Sequence, residues 1–139
     1  MSFHRDRLIR FSDCDPAGIV FYPQYFVMFN GLLEDWFDEG LGIGFHALLI
    51  ERRIGVPTVR LEADFTGVSR MGDRVDLGLE VERLGSRSIT LALRCRGADG
   101  VPRMAMRQVV VTTSLEDHRA IEIPPDLRAA ITRLHPAVG

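Results

Sequence analysis

The sequence predicts an α+β domain in which one long buried helix lies against a single antiparallel sheet. Three observations predict it. From Gln24 to about Glu39 apolar residues recur at helical spacing, whereas from Thr58 onward they alternate with polar ones in four successive segments. Two short Gly-containing turns separate the last three segments, as antiparallel hairpins require. The predicted order is strand, long helix, four strands. At 139 residues the chain is most economically one domain, residues 1–139, long enough to bury a core.

Phe3 to Phe11 alternates weakly, with Leu8 and Ile9 among arginines, and reads as a short strand. The helix carries Tyr25, Phe26, Met28, Phe29, Leu32, Leu33, Trp36 and Phe37 on a wide apolar arc, opposite Asn30, Glu34, Asp35 and Asp38. An arc that wide predicts a helix wrapped by the sheet. Gly31 in its middle costs roughly 1 kcal/mol against alanine, which close packing against strands would explain. Gly40 and Gly42 end the helix, and Phe45–Glu51 predicts one further short helix. The predicted strands then run over Thr58–Gly67, Arg74–Leu84, Arg87–Arg96 and Arg103–Leu115. The turns Leu84–Arg87 and Gly97–Gly100 join the last three into a meander. Met104 and Met106 share one strand face and read as core. Pro124 and Pro125 break the chain, and Asp126 is placed to cap a final helix from Leu127 to Leu134. One helix cannot cover both faces of a sheet, and sheet edges need cover, so a homo-oligomer is expected.

Composition excludes several classes of partner. A formal charge of −2 and a pI near 6.1 argue against nucleic acid, which needs a basic face. No apolar run reaches membrane-spanning length and the start, MSFHRDRLIRFSD, is too polar for a signal peptide, so no membrane partner is expected. Cys14 and Cys95 form no framework and read as reduced thiols of a cytoplasmic protein. His4, His46, His118 and His135 lack metal-ligand spacing, so no metal is expected.

The chemistry concentrates in FSDCDPAGIVFYPQY, Phe11 to Tyr25. Asp13 and Asp15 stand one residue apart before a Pro16–Gly18 turn that feeds, through Pro23, into the long helix. A Pro/Gly turn fixes the direction of a carboxylate, and a helix start offers unpaired N–H groups beside it. Together they are the minimum equipment for attacking a carbonyl. Capping the turn is the bland alternative for Asp15, and from local chemistry alone it is the commoner role for an Asp-Pro pair. Asp13 reads as structural, bonding turn N–H groups. Cys14 lies between two anionic neighbours, which raise its thiol pKa, and it reads as a bystander.

Asp13-Cys14-Asp15-Pro16-Ala17-Gly18-Ile19-Val20, followed by Tyr22-Pro23 and Tyr25, resembles the signature of the 4-hydroxybenzoyl-CoA thioesterase family. The resemblance continues through Gly55-Val56-Pro57 and the segment Arg119 to Pro124, and so covers nearly the whole chain. It implies the hot-dog fold, a curved antiparallel sheet wrapped around one long central helix. It also implies oligomers with active sites at the subunit interface, and hydrolysis of an acyl-CoA thioester without a further cofactor. Residue by residue, it implies Asp15 as nucleophile or general base and the backbone N–H of Tyr22 as the group that holds the carbonyl oxygen. Gly18 would let backbone approach the ligand, Asn30 and Tyr25 would line the acyl pocket, and Arg87 and Ser88 would meet the carrier.

Two departures matter. The position of Asn30 is an aspartate in the 4-hydroxybenzoyl enzyme, where it meets the substrate's ring hydroxyl, so that substrate is not implied here. The turn at Leu84–Ser88 is basic in that enzyme but keeps only Arg87 here, which leaves Arg70, Arg83 or Arg53 as other candidates for phosphate contact. A hydratase of the same fold would need a histidine on the helix, and there is none. The remaining alternative is a non-catalytic acyl-CoA or acyl-carrier binding module.

Overall fold

Strict alternation becomes a sheet because each inward row is apolar. In the computed structural model, which describes residues 2–138, these rows are Val75, Leu77, Leu79 and Val81 on β4 (Arg74–Leu84) and Ile89, Leu91, Leu93 and Cys95 on β5 (Ser88–Gly97). Every one of them is buried. With β1 (Phe3–Leu8), β3 (Thr58–Phe65) and β6 (Pro102–Val111) they form a five-stranded antiparallel sheet in the order β1-β4-β5-β6-β3. Three register shifts, at Thr58/Arg60, Val81/Arg83 and Cys95/Arg96, supply the bulges that bend such a sheet. The meander of β4, β5 and β6 is the predicted one.

Helix α1 (Pro23–Asp35) shares the sheet's core through Tyr25, Met28, Phe29, Leu32 and Leu33. The helix was expected to stay regular to Glu39. Instead, Trp36–Gly40 is a π-helical turn, closed by the Leu41 N–H on the Trp36 carbonyl at 2.7 Å. The wider turn brings two consecutive large rings inward. Trp36 and Phe37 are both fully buried, edge to face at 5.1 Å, with the Trp36 indole N–H donating to His135 at 3.0 Å. Gly31 is not strand-packed as expected: it is exposed, and a Cβ added there would meet nothing within 4 Å.

Four other expectations change. The first strand ends at Leu8, because Phe11–Asp13 turns as a 3₁₀ segment. The further short helix is a π-helical turn, Ala47–Glu51. The long strand to Leu115 breaks at Thr112, whose hydroxyl donates to the Ile121 carbonyl at 2.7 Å. The chain beyond it forms β7 (Thr113–Ser114), which pairs with β2 (Ile54–Gly55). Asp126 does not cap the last helix, α2 (Pro125–Leu134), whose N-cap is Pro124; it forms a bidentate pair with Arg52 at 2.8 and 3.0 Å. Strand β3 lies at the sheet edge, so its apolar row is not covered within the chain. Val59, Leu61 and Phe65 are 62, 41 and 48% exposed.

Candidate active site

The two aspartates of the motif end in different surroundings. The backbone bends back on itself between Cys14 and Val20, with Asp15 N–H on the Ile19 carbonyl at 3.0 Å and Gly18 N–H on the Asp15 carbonyl at 2.9 Å. Gly18 sits at φ +76°, which an L side chain rarely adopts. Asp13 is drawn into the protein, its side chain only 6% exposed. It accepts two bonds from Arg7, at 2.8 and 3.1 Å, and one from the Arg10 N–H at 2.8 Å. Burial pushes its carboxyl up, but the bonds from Arg7 and Arg10 and the charge of Arg7 outweigh this and hold it below the usual range. Asp15 is half-buried, and its Oδ1 accepts the Ala17 N–H at 2.9 Å. Among the described residues its Oδ2 has no donor and no cation pairs with it.

The mouth of α1 follows directly. Phe21 N–H is tied to the Asp13 carbonyl at 3.0 Å, Gln24 N–H to Phe21 at 2.8 Å and Tyr25 N–H to Tyr22 at 3.2 Å. Pro23, the first helical residue, has no N–H to offer. That leaves the Tyr22 N–H, which donates to no group among the described residues. The expectation of several free amides thus narrows to one. The Tyr22 side chain is mostly exposed and meets Phe21 and Phe65 edge to face at 5.5 and 6.0 Å.

Tyr25 is a core residue in this chain. It is 3% exposed, and its hydroxyl donates to Ser69 Oγ at 2.9 Å. Burial pushes its phenol up, against the Ser69 bond. Phe65, which the sequence reading passed over, bridges the helix mouth to the next site. Its ring lies 6.0 Å from Tyr25 and 6.3 Å from Phe26. Beyond Phe26 a groove of about 370 Å³ opens between α1 and the β3/β6 edge, lined by Phe26, Val27 and Asn30 against Leu61 and Met106. Asn30 is exposed in it, and its side chain has no hydrogen bond among the described residues.

Arg87 and Ser88 stand at the β4–β5 turn. The Arg87 carbonyl accepts the Thr112 N–H at 2.9 Å, and the Ser88 carbonyl accepts the Gly85 N–H at 2.8 Å. No hydrogen bond, ion pair or ring contact joins either residue to Asp15 or Tyr22 among the described residues. The guanidinium of Arg128, far along the chain, donates to the Gly85 carbonyl and adds a second cation to this turn. Nothing in the local sequence pointed to it. Of the other candidate arginines, Arg53 is committed to Glu116 at 3.4 Å, while Arg70 and Arg83 are exposed.

The cysteines are free, and neither is poised to react. Burial first, then Asp13 and Asp15, pushes the Cys14 thiol up, and burial pushes Cys95 up to about 11. Among the described residues no group of three metal-ligating side chains could hold an ion. No helix among the described residues is long and apolar enough to cross a membrane.

The family model described as Thioesterase-like superfamily matches residues 9–131. The chain is 28% identical over 127 residues to a 4-hydroxybenzoyl-CoA thioesterase of Pseudomonas sp. strain CBS-3, covering 85% of this chain and 89% of that one. It is 25% identical over 131 residues to a 1,4-dihydroxy-2-naphthoyl-CoA hydrolase of Nostoc punctiforme, covering 91% of this chain and 84% of the relative. A solved 1,4-dihydroxy-2-naphthoyl-CoA thioesterase from Synechocystis superposes with a TM-score of 0.86 at 19% identity, over 94% of this chain and 96% of that one. With the long helix against one antiparallel sheet, a match over this much of the sequence makes the chain a hot-dog protein of the Thioesterase-like superfamily.

Proposed function

We propose that the protein is an acyl-CoA thioesterase, which hydrolyses a thioester to a free acid and CoA. The observation that carries this is the Tyr22 N–H at the mouth of α1, left without a partner in the same loop that exposes one oxygen of Asp15. A thioester carbonyl oxygen held by that amide gains from the positive end of the helix. A well-placed donor of this kind is worth about 3–4 kcal/mol in the transition state. Asp15 then acts in one of two ways. As nucleophile, its carboxylate adds to the carbonyl carbon, the C–S bond breaks to release CoA thiolate, and water cleaves the resulting anhydride. As general base, it takes a proton from a water that adds to the same carbon. Both routes leave the acid and CoA, and both need only the thioester and water.

The supporting residues have distinct tasks. Gly18 keeps the loop low enough for the ligand to approach. The acyl group lies in the groove beside Asn30, with Tyr25 behind the wall that Phe65 and Phe26 present. Arg87, Ser88 and Arg128 face the phosphates of the carrier. The uncovered apolar row of β3, at a free sheet edge, fits a second copy of the chain, so the enzyme acts as a homo-oligomer with its sites at the interface. Free thiols fit a cytoplasmic setting.

A thiol-release assay over aryl and fatty acyl-CoAs tests the reading. Turnover by the wild type and its loss in a folded Asp15→Asn variant are the expected results. Calorimetric binding of acyl-CoAs with no thiol released would replace the enzyme with a binding module.

A further inference from the structure

The sheet face turned away from the core carries a second cluster of reactive side chains. Leu77 and Leu79 of β4 point inward, so Asp76 and Gly78 point outward, beside His4 of β1 and Arg94 and Arg96 of β5. His4 Nδ1 lies 2.7 Å from Asp76 Oδ2, and Ser2 Oγ lies 2.6 Å from His4 Nε2. An ionised carboxylate only accepts, so in the neutral imidazole Nδ1 carries the proton and Nε2 accepts from the Ser2 hydroxyl. No arginine competes for Asp76 among the described residues, because Arg74 pairs with Asp6 at 3.1 Å. Gly78, opposite His4 in the β1–β4 register, makes room for the ring: a Cβ there would meet His4 Cε1 at 3.0 Å and Nδ1 at 3.1 Å. Ser2, His4, Asp76 and Gly78 line a cavity of about 270 Å³ together with Glu80, Arg94 and Arg96. Arg94 is 3.5 Å from Glu80, whereas the Arg96 guanidinium has no ion pair or hydrogen bond among the described residues.

From this we infer that Ser2, His4 and Asp76 form a second hydrolytic site, a serine nucleophile with its base and orienting acid, which takes esters of short acyl groups. The inference does not depend on the thioesterase reading. Ser2 Oγ adds to the ester carbonyl carbon as its proton passes to His4 Nε2, and the alkoxide leaves with that proton. Water, deprotonated by His4, then cleaves the acyl-serine to release the acid and restore the hydroxyl. Asp76 holds the tautomer and stabilises the imidazolium, and the uncommitted charge of Arg96 favours the oxyanion. A cavity of about 270 Å³ falls below the range of about 300–1,000 Å³ that drug-sized ligands occupy, which limits the acyl group to a short one. The side chains of His4 and Asp76 are 46 and 45% exposed, so a small ester reaches them.

The test uses Asp15→Asn as background, so that the proposed thioesterase site is silent. A fluorophosphonate, which serine attacks at phosphorus with loss of fluoride, should label the protein once, at Ser2 by peptide mapping. His4→Gln and Asp76→Asn should each slow that labelling by about a hundredfold or more. Hydrolysis of p-nitrophenyl acetate should be lost in Ser2→Ala and retained in Ser88→Ala. All four substituted side chains lie outside the core, and an unchanged unfolding midpoint shows that each variant is folded. Ser2 left unlabelled, or labelled as fast without His4 or Asp76, would overturn the site. So would ester hydrolysis that is absent from the background protein or survives Ser2→Ala, since the imidazole alone would then account for it.

Discussion

The buried corner around Asp13 and the open loop around Asp15 are one residue apart in sequence and opposite in physics. Asp13 is saturated: Arg7 and the Arg10 N–H occupy its oxygens and hold its carboxyl below the usual range. Asp15 has one oxygen bonded and one without a donor among the described residues. A buried carboxylate with both oxygens engaged has little to offer a substrate. The difference teaches that the motif places its two acids differently, with one locking the loop to β1 and the other left with an oxygen free for the role proposed above.

The largest expected break in this comparison is on the structural side. Asp13→Ala leaves the Arg7 guanidinium partly buried without its counter-charge, and breaking a buried pair in this way costs about 3–5 kcal/mol. Thermal or denaturant unfolding of the variant reads that cost; a change below the scatter of surface substitutions would refute the corner's role. The pH dependence sharpens the same point. Because the folded carboxyl of Asp13 is depressed, its contribution is complete above the unfolded value near about 3.9 and is lost as pH falls through the folded value. Acid unfolding below about pH 4 should therefore be less steep in Asp13→Asn than in the wild type.

A second arginine–aspartate corner gives the next effect in size. A Cβ at Gly97 would lie 2.2 Å from Arg103 Nη2, and Arg103 is held at 14% exposure by Val68, Asp73 and Asp99. Gly97→Ala should cost about 1–3 kcal/mol, read in unfolding. The smallest effect is at Gly31, exposed on α1 with open space around it. Gly31→Ala should raise stability by roughly 1 kcal/mol, read as a higher melting temperature. A fall instead would mean that a second copy closes onto the helix there.

Much of this was legible in the sequence, and the exceptions have physical reasons. Arg74–Leu84 was bounded correctly because alternation runs from Val75 to Glu82 between a charged start and a glycine turn. The break at Thr112 was hidden, since a threonine in VVVTTSL fits a strand, and only its bond to Ile121 shows that the chain leaves the sheet. Trp36 and Phe37 gave no sign of a π turn, because helical spacing looks the same with one residue more. In the proposed site, Asp15, Gly18 and Tyr22 fall within one short motif, Asp13 to Tyr25, and so could be singled out together. Phe65 and Arg128 come from a distant strand and a distant helix, and only tertiary structure brings them to the helix mouth and the β4–β5 turn.

The account depends on one amide and one carboxyl group meeting the same carbonyl. A crystal structure of the Asp15→Asn variant with an intact acyl-CoA tests this most directly. The thioester carbonyl oxygen should lie within about 2.7–3.1 Å of the Tyr22 nitrogen, with residue 15 facing the carbonyl carbon. A thioester bound with that oxygen elsewhere, or a Tyr22 amide still facing solvent, would contradict the account.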